Sequence, residues 1–497
     1  MRCATLAEEL RRRGAKVSFI CRAMQGDYSE WLIERGIEVA LLPGFAADDD
    51  GNSSDNYAGW LGVPLEQEIG DVAECLATAG PVDWLVVDHY ALDVAWEKAM
   101  RGQVGKILCI DDLANRSHDC DLLLDQNYFS EPAIRYAGLV PEGAIALVGP
   151  RYALLRPEFA FWRGKVQGRD GIVRRMLLFM GGSDSANVTK VALQAFTQLH
   201  SRNLSWQVDV VLGFGNPHSE EIQALCSDLN WVRVHQDLGA DEMAALMAHA
   251  DLAIGAGGST NWERACLGLP SLIFAVADNQ MEPLRRLVEA GYVVGEARTP
   301  DLERLIYWLQ LLLENASWLR GLGKKSAALV DGEGARRVAD RMLSTQITFR
   351  RAIGADCDDI WRWRNAPAVR NNSSNPGEIE LTSHRQWFER TVQDPSRILL
   401  IAEWNQMPVG IARFDLDGSL ATISVFRVPG VSAPGGLISA ASQWLARNRS
   451  DLTGIIAEVL IENPVSLAAF MDAGYRHVKN TLFLELGSKT HEQAKTR

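Results

Sequence analysis

Gly255-Ala256-Gly257-Gly258-Ser259-Thr260-Asn261-Trp262-Glu263-Arg264-Ala265-Cys266-Leu267-Gly268-Leu269-Pro270 follows the apolar run 250–254, whose one charged residue is Asp251, and opens a helical pattern. Strand, glycine turn and helix start are the repeating unit of an open α/β sheet. Glycines let backbone N–H groups approach an anion, and the helix N-terminus adds its positive dipole end. Ser259 and Thr260 supply hydroxyl donors. Glu263, one turn in, can accept from a pair of sugar hydroxyls. Phosphate on Gly257, Gly258, Ser259 and Thr260 with ribose on Glu263 describes a nucleotide-diphosphate-sugar site. The same residues also read as an ordinary strand–turn–helix with Ser259 as the N-cap.

A second stretch repeats the pattern. The apolar strand Met176-Leu177-Leu178-Phe179-Met180 runs into Gly181-Gly182-Ser183-Asp184-Ser185-Ala186-Asn187 and then a helix with Val188, Val191, Ala192, Ala195, Phe196 and Leu199 on one face. Ligands of open α/β sheets sit beyond the carboxyl ends of strands, so two such turns in one sheet can face one crevice.

At 497 residues the chain exceeds one compact core and implies two to four domains. The excess of 63 acidic over 50 basic residues, a net charge of −13, argues against a nucleic-acid surface. No apolar run approaches the roughly 20 residues needed to span a bilayer, and the N-terminus lacks the apolar core of a secretory signal. The 8 cysteines are scattered without a Cys-x-x-Cys pair, which reads as buried thiols of a reducing cytoplasm rather than a metal centre. Oligomeric state is not legible.

Residues 1–165 alternate helix (4–13, 64–79, 91–100) and strand (16–20, 84–88, 106–111, 122–124), the signature of a parallel sheet covered on both faces. Residues 166–343 form a second α/β unit, with strands near Met176, Val208, Val232, Leu252 and Leu272. Two such Rossmann-like lobes make the glycosyltransferase-B type of architecture. A third, mixed α+β unit covers 349–486, with a helix over 356–370 and a turn at Met407-Pro408. The polar stretch 44–56 is expected to be mobile and the charged end 489–497 disordered.

Further motifs make the first two units recognisable. They are Met1-Arg2-Cys3-x-Thr5-Leu6-Ala7, Arg12-x-Gly14-Ala15-x-Val17-Ser18-Phe19-Ile20-Cys21-Arg22, Asp88-His89-Tyr90, Asp111-Asp112-Leu113-Ala114, Asp125-Gln126-Asn127 and Asp278-Asn279-Gln280, with the two glycine turns. Together they resemble the UDP-sugar hydrolases of pseudaminic acid biosynthesis, which release UDP from UDP-2,4-diacetamido-2,4,6-trideoxy-β-L-altropyranose. The resemblance implies a UDP site at Gly181, Gly182, Ser183, Gly257, Gly258, Ser259, Thr260 and Glu263, and sugar contacts from Tyr90 and Asn279. It implies no cofactor for hydrolysis. Such an enzyme must aim a water at the anomeric carbon and accept the charge of departing UDP. The alternatives are a glycosyltransferase using the same lobes, or a nucleotide-sugar binding protein. His89 also reads as a partner of Asp88, Asp111 and Asp112 as a turn or helix cap, and Asn279 and Gln280 as turn amides. The family's chain carries a strand, a glycine loop and a water-activating histidine just before its Met-Arg-Cys segment. Here the sequence opens at that segment, which the resemblance reads as a start codon placed too late; taken literally, hydrolysis is crippled.

In the third unit, Trp363-Arg364-Asn365-x-Pro367-x-Val369-Arg370 and Asn463-Pro464-x-Ser466-x-x-x-Phe470-x-x-x-Gly474-Tyr475 resemble the GNAT acyltransferase superfamily. The resemblance implies an acetyl-CoA turn at Val431 to Leu437, with Gly435, Gly436 and Asn463 as its candidate residues. That turn lacks the usual basic residue, and Phe470 stands where relatives carry a tyrosine acid. A domain kept for binding or assembly fits the same residues.

Overall fold

The computed structural model describes residues 1–24, 28–44, 57–132, 134–182, 184–200, 206–213, 215–296, 298–344, 346–373, 375–431, 435–460 and 463–478. The stretch 45–56, Ser183 and the end 489–497 lie outside them. The chain divides into two compact units, Met1–Ala339 and Asp340–Arg497. The division falls inside the helix Gly334–Ser344.

Twelve described strands build the first unit: β1 (Ser18–Arg22), β2 (Glu38–Leu42), β3 (Val82–Val87), β4 (Val104–Ile110), β5 (Leu122–Asp125), β6 (Ile145–Val148), β7 (Arg175–Phe179), β8 (Gln207–Leu212), β9 (Val232–Gln236), β10 (Leu252–Ala256), β11 (Ser271–Phe274) and β12 (Val294–Glu296). Every pairing among them is parallel, as helical crossovers require. They form three sheets, β1-β2, β3-β4-β5-β6 and β12-β11-β10-β7-β8-β9. β5 is buried along its whole length, and so is the Ile107 to Ile110 half of β4, which explains their unbroken apolar runs. Phe19, Ile20 and Cys21 of β1 and Trp84, Leu85 and Val86 of β3 are only half-buried, and their two sheets share no strand pairing.

In the six-stranded sheet, β8 and β9 follow β7 on one side, whereas β10, β11 and β12 grow from its other side. The order therefore reverses between β7 and β10, which are hydrogen-bonded neighbours with Gly255 opposite Phe179. Two arginines brace the helices behind this seam. Arg169 donates to the carbonyls of Ala250 (2.7 Å), Leu267 (2.7 Å), Gly268 (3.0 Å) and Met247 (2.9 Å). Arg163 donates to Val330 and Ala327, both at 2.9 Å, and to Cys266. These carbonyls lie at or just past the C-terminal ends of the helices Ala240–His249, Thr260–Cys266 and Ala316–Ala327, where the dipole is negative and intrahelical donors run out. Burial lowers the Arg169 pKa to about 10.

The four-stranded sheet carries a polar knot at its carboxyl end. The Tyr136 hydroxyl donates between Asp111 Oδ2 and Asp125 Oδ2, each at 3.0 Å, while Arg116 binds Asp111 at 2.7 Å and Arg135 binds Asp125 at 2.8 Å. Both carboxylates are fully buried. Burial raises the Asp125 carboxyl to about 6 despite Arg135, whereas Arg116 and the Ala114 amide overcome burial and hold Asp111 below its usual value.

The second unit contains β13 (Thr348–Arg351), β14 (Arg397–Trp404), β15 (Met407–Asp417), β16 (Leu420–Arg427) and β17 (Gly454–Ala457) in that order. The first four pair antiparallel; β17 joins β16 in parallel after the helix Leu437–Asn448. The expected turn at Met407-Pro408 is two residues earlier. Asn405 and Gln406, with φ of 50° and 62°, make the two-residue hairpin, and Pro408 lies within β15 beside a register shift at Ala402/Glu403. The helix expected over 356–370 breaks at Ala366, whose ψ of 136° is what a following proline imposes. Among the described residues no helix is long and apolar enough to cross a membrane.

Replacing Arg169 by methionine keeps the aliphatic volume but strips five carbonyls, that of Ala248 included, of their donor. Urea unfolding should then report a loss of about 2–4 kcal/mol from the first unit, with an unchanged slope.

The Asp125 site has its own pH signature. Between its ordinary value of 3.8 and about 6 the folded chain keeps a proton that the unfolded chain has released. Its contribution is therefore fully present below the lower value and falls as pH rises through the upper one. Melting curves across that window should show wild-type stability declining relative to Asp125→Asn; parallel curves would contradict the assignment.

Candidate functional site

The two glycine turns leave the carboxyl ends of β7 and β10, on either side of the order reversal. Gly255 is the last place where the β10 backbone can tolerate its neighbours. A Cβ there would lie 2.5 Å from Arg264 Nη1 and 2.8 Å from the Phe179 carbonyl. Arg264 is 2% exposed, donates to the Ala256 carbonyl at 2.9 Å and to Asn261 Oδ1, and burial lowers its pKa to about 10. Its guanidinium thus fixes the strand end from below.

Past that point Gly257 is buried and donates to the Phe274 carbonyl of β11 at 3.0 Å, so its amide is spent within the sheet. Gly258 and Ser259 are exposed, and their amides have no acceptor among the described residues. Ser259 occupies the N-cap position of the helix Thr260–Cys266 without a side-chain capping bond, so its hydroxyl stays available. Glu263 lies 3.6 Å from Arg156, a cation that sequence reasoning passed over. Burial raises the Glu263 pKa, with Arg156 and Arg264 opposing. Gln280 closes the other flank: its side chain packs within 3.4 Å of where a Gly257 Cβ would stand, and its Oε1 accepts from the Val276 amide. Asn279 is exposed in the first turn of the helix Asp278–Glu289, which contains Pro283.

The β7 turn differs in one respect. Asp184, 5% exposed, accepts from the amides of Val188 (2.9 Å) and Thr189 (3.0 Å) and so caps the helix Val188–His200 itself. The Gly181 and Gly182 backbone is left for a ligand there, and Ser183 lies outside the described residues. A Cβ on Gly213 would fall 2.5 Å from the Gly182 carbonyl, so the ends of β7 and β8 touch at backbone level.

Tyr90 belongs to a separate group at the carboxyl ends of β3 and β4. Arg2 binds Asp88 through two bonds of 2.6 and 3.0 Å and reaches Asp112 at 3.3 Å. The Cys3 thiol donates to Asp88 at 3.1 Å, and burial together with Asp88 pushes its pKa well up. Burial and the neighbouring Asp112 raise the Tyr90 pKa. Asp88 therefore pairs with Arg2 rather than with His89, whose Nδ1 accepts from the Ala91 amide at 3.1 Å. Two ring contacts tie this end of the first lobe to the second: Tyr128 to Tyr292 at 5.0 Å, and Arg286 over Phe129 at 4.9 Å.

In the second unit Gly435 and Gly436 face the segment Asp340 to Ser344. A Cβ on Gly435 would lie 1.4 Å from Asp340 Oδ1, and one on Gly436 2.6 Å from Ser344 Cβ. Asn463 accepts from the Ser466 amide at 3.0 Å as an N-cap. Tyr475 packs on Phe470 and shares a 2.9 Å hydrogen bond with Ser442.

Comparison with known proteins bears on the second lobe above all. Residues 176–328 match the model of the glycosyltransferase family 28 C-terminal domain. The chain is similar to a spore coat polysaccharide biosynthesis protein, SpsG, of Bacillus subtilis, with 29% identity over 197 residues, 38% of this chain and 56% of that protein. It is also similar to the UDP-2,4-diacetamido-2,4,6-trideoxy-beta-L-altropyranose hydrolase of Campylobacter jejuni, 28% identical over 211 residues, 42% of this chain and 72% of the relative. Among solved structures, MurG of Acinetobacter baumannii aligns over 69% of this chain and 94% of its own at 15% identity, with a TM-score of 0.48. Residues 176–328, which hold both glycine turns, are thus of the kind found in glycosyltransferase family 28.

Proposed function

We propose that the first unit is a hydrolase of UDP-sugars, acting on a UDP-linked diacetamido-trideoxy hexose and releasing UDP and the free sugar. The observation that carries this reading is the pair of glycine turns on neighbouring strands at the point where strand order reverses. The open amides of Gly258 and Ser259, with the Ser259 and Thr260 hydroxyls, receive the diphosphate, and the buried Arg264 beneath them adds positive potential. Glu263, oriented by Arg156, accepts the ribose hydroxyls. Asn279 and Tyr90 contact the sugar. The hydrolase name of the Campylobacter relative favours water as the acceptor. The family 28 match favours a second reading, transfer of the sugar to another hydroxyl by the same lobes.

For the second unit, the turn proposed for acetyl-CoA at Gly435 and Gly436 packs against Asp340, and its residues 432–434 lie outside the described residues.

Incubation with the UDP-sugar in water, followed by chromatography of UDP, separates the two readings. A hydrolase releases UDP in buffer alone; a transferase leaves the donor intact until an acceptor is added. No release in either case, with no UDP binding, would end both.

Glu263→Gln should weaken UDP binding about tenfold in calorimetry, since it replaces a charged acceptor by a neutral one, while uracil nucleotides lacking both ribose hydroxyls should bind wild type and variant alike.

A further inference from the structure

Two aromatic residues outside the nucleotide turns gather around Tyr90. Its ring centroid lies 4.9 Å from Tyr57 and 5.8 Å from Trp60, and those two meet edge to face at 5.1 Å. Trp60 is 48% exposed although it belongs to this cluster. A tryptophan ring brings large apolar area, and leaving half of it in water forgoes much of the gain from burial. The turn Tyr57–Leu61 is held against Tyr90 by both of these ring contacts.

The polar surroundings narrow what such a surface can take. Asp112 lies close enough to Tyr90 to raise its pKa alongside burial, and Arg2 joins Asp112 to Asp88. The Asp88 and Asp112 side chains keep 25% and 18% of their surface exposed. Carboxylates beside open aromatic faces repel an anion and leave a plain hydrocarbon with unmatched acceptors. A neutral sugar ring meets both demands: its C–H face stacks on the rings and its hydroxyls donate to the carboxylates.

We propose that Tyr57, Trp60 and Tyr90 form the platform that receives the hexose ring of the nucleotide-linked substrate, selecting a neutral sugar with an apolar face, such as an acetamido or deoxy hexose. This rests on the nucleotide-sugar reading above. Trp60 sets sugar affinity without touching the nucleotide.

Saturation-transfer NMR on the full chain with UDP-N-acetylglucosamine tests it, alongside calorimetry with UDP alone. In the wild type both the uridine protons and the sugar ring and N-acetyl methyl protons should receive saturation. In Trp60→Ala the sugar signals should drop severalfold and affinity for the sugar nucleotide fall about tenfold, with UDP affinity unchanged; Trp60→Phe should recover part of both. Sugar signals that persist undiminished in Trp60→Ala overturn the platform alone. Absent uridine signals in the wild type overturn the nucleotide reading and the platform with it. Equal loss of UDP binding in Trp60→Ala and Trp60→Phe also overturns the platform, because the residue would then act on the fold and not on the sugar.

Discussion

The Arg264 guanidinium beneath Gly255 is the constraint on which the nucleotide site rests. A buried cation loses its hydration, and here it is compensated by the Ala256 carbonyl and Asn261 rather than by a directly bonded carboxylate. Those two partners lie at the end of β10 and in the first turn of the next helix, so one side chain ties strand end to helix start. Only glycine at 255 leaves room for it. The outward course of the chain through Gly258 and Ser259 follows from that anchorage.

The sheet supplies the second half of the geometry. Because β7 and β10 are neighbours whose onward connections run in opposite directions, their two turns diverge and leave room beyond the strand ends. Arg163 and Arg169 keep the helices behind that seam in place through carbonyls at their ends. The first lobe repeats the logic with different chemistry. Its strand ends carry carboxylates held by arginines from distant segments, Arg2, Arg116 and Arg135.

Local pattern made part of this legible. Apolar runs ending in Gly-Gly placed β7 and β10 and their turns within a residue or two, since strand, glycine and helix onset all lie within one short window. What depended on distant partners was not legible. Arg156 approaches Glu263 across more than 100 positions, and the Tyr136 bridge between Asp111 and Asp125 needs three loops at once. His89 looked like the companion of Asp88 because they adjoin, but Arg2 outcompetes it with two charged bonds. Short β2, β6 and β12 carry too few residues to announce a period. In the second unit Pro367 and Pro408 each shifted a boundary, one by ending a helix and one by tolerating a strand at a register shift. Asp184 could have been suspected, being an Asx residue four positions before the helix it caps.

Pro283 has a consequence for the residue four positions before it. Lacking an N–H, the proline cannot return a hydrogen bond to the Asn279 carbonyl, so the helix Asp278–Glu289 opens without that one main-chain bond. Asn279 therefore offers an oxygen from its backbone as well as both polar atoms of its amide. A water molecule lodged there could be steered by the peptide group itself, making that position's usefulness partly independent of which side chain it bears.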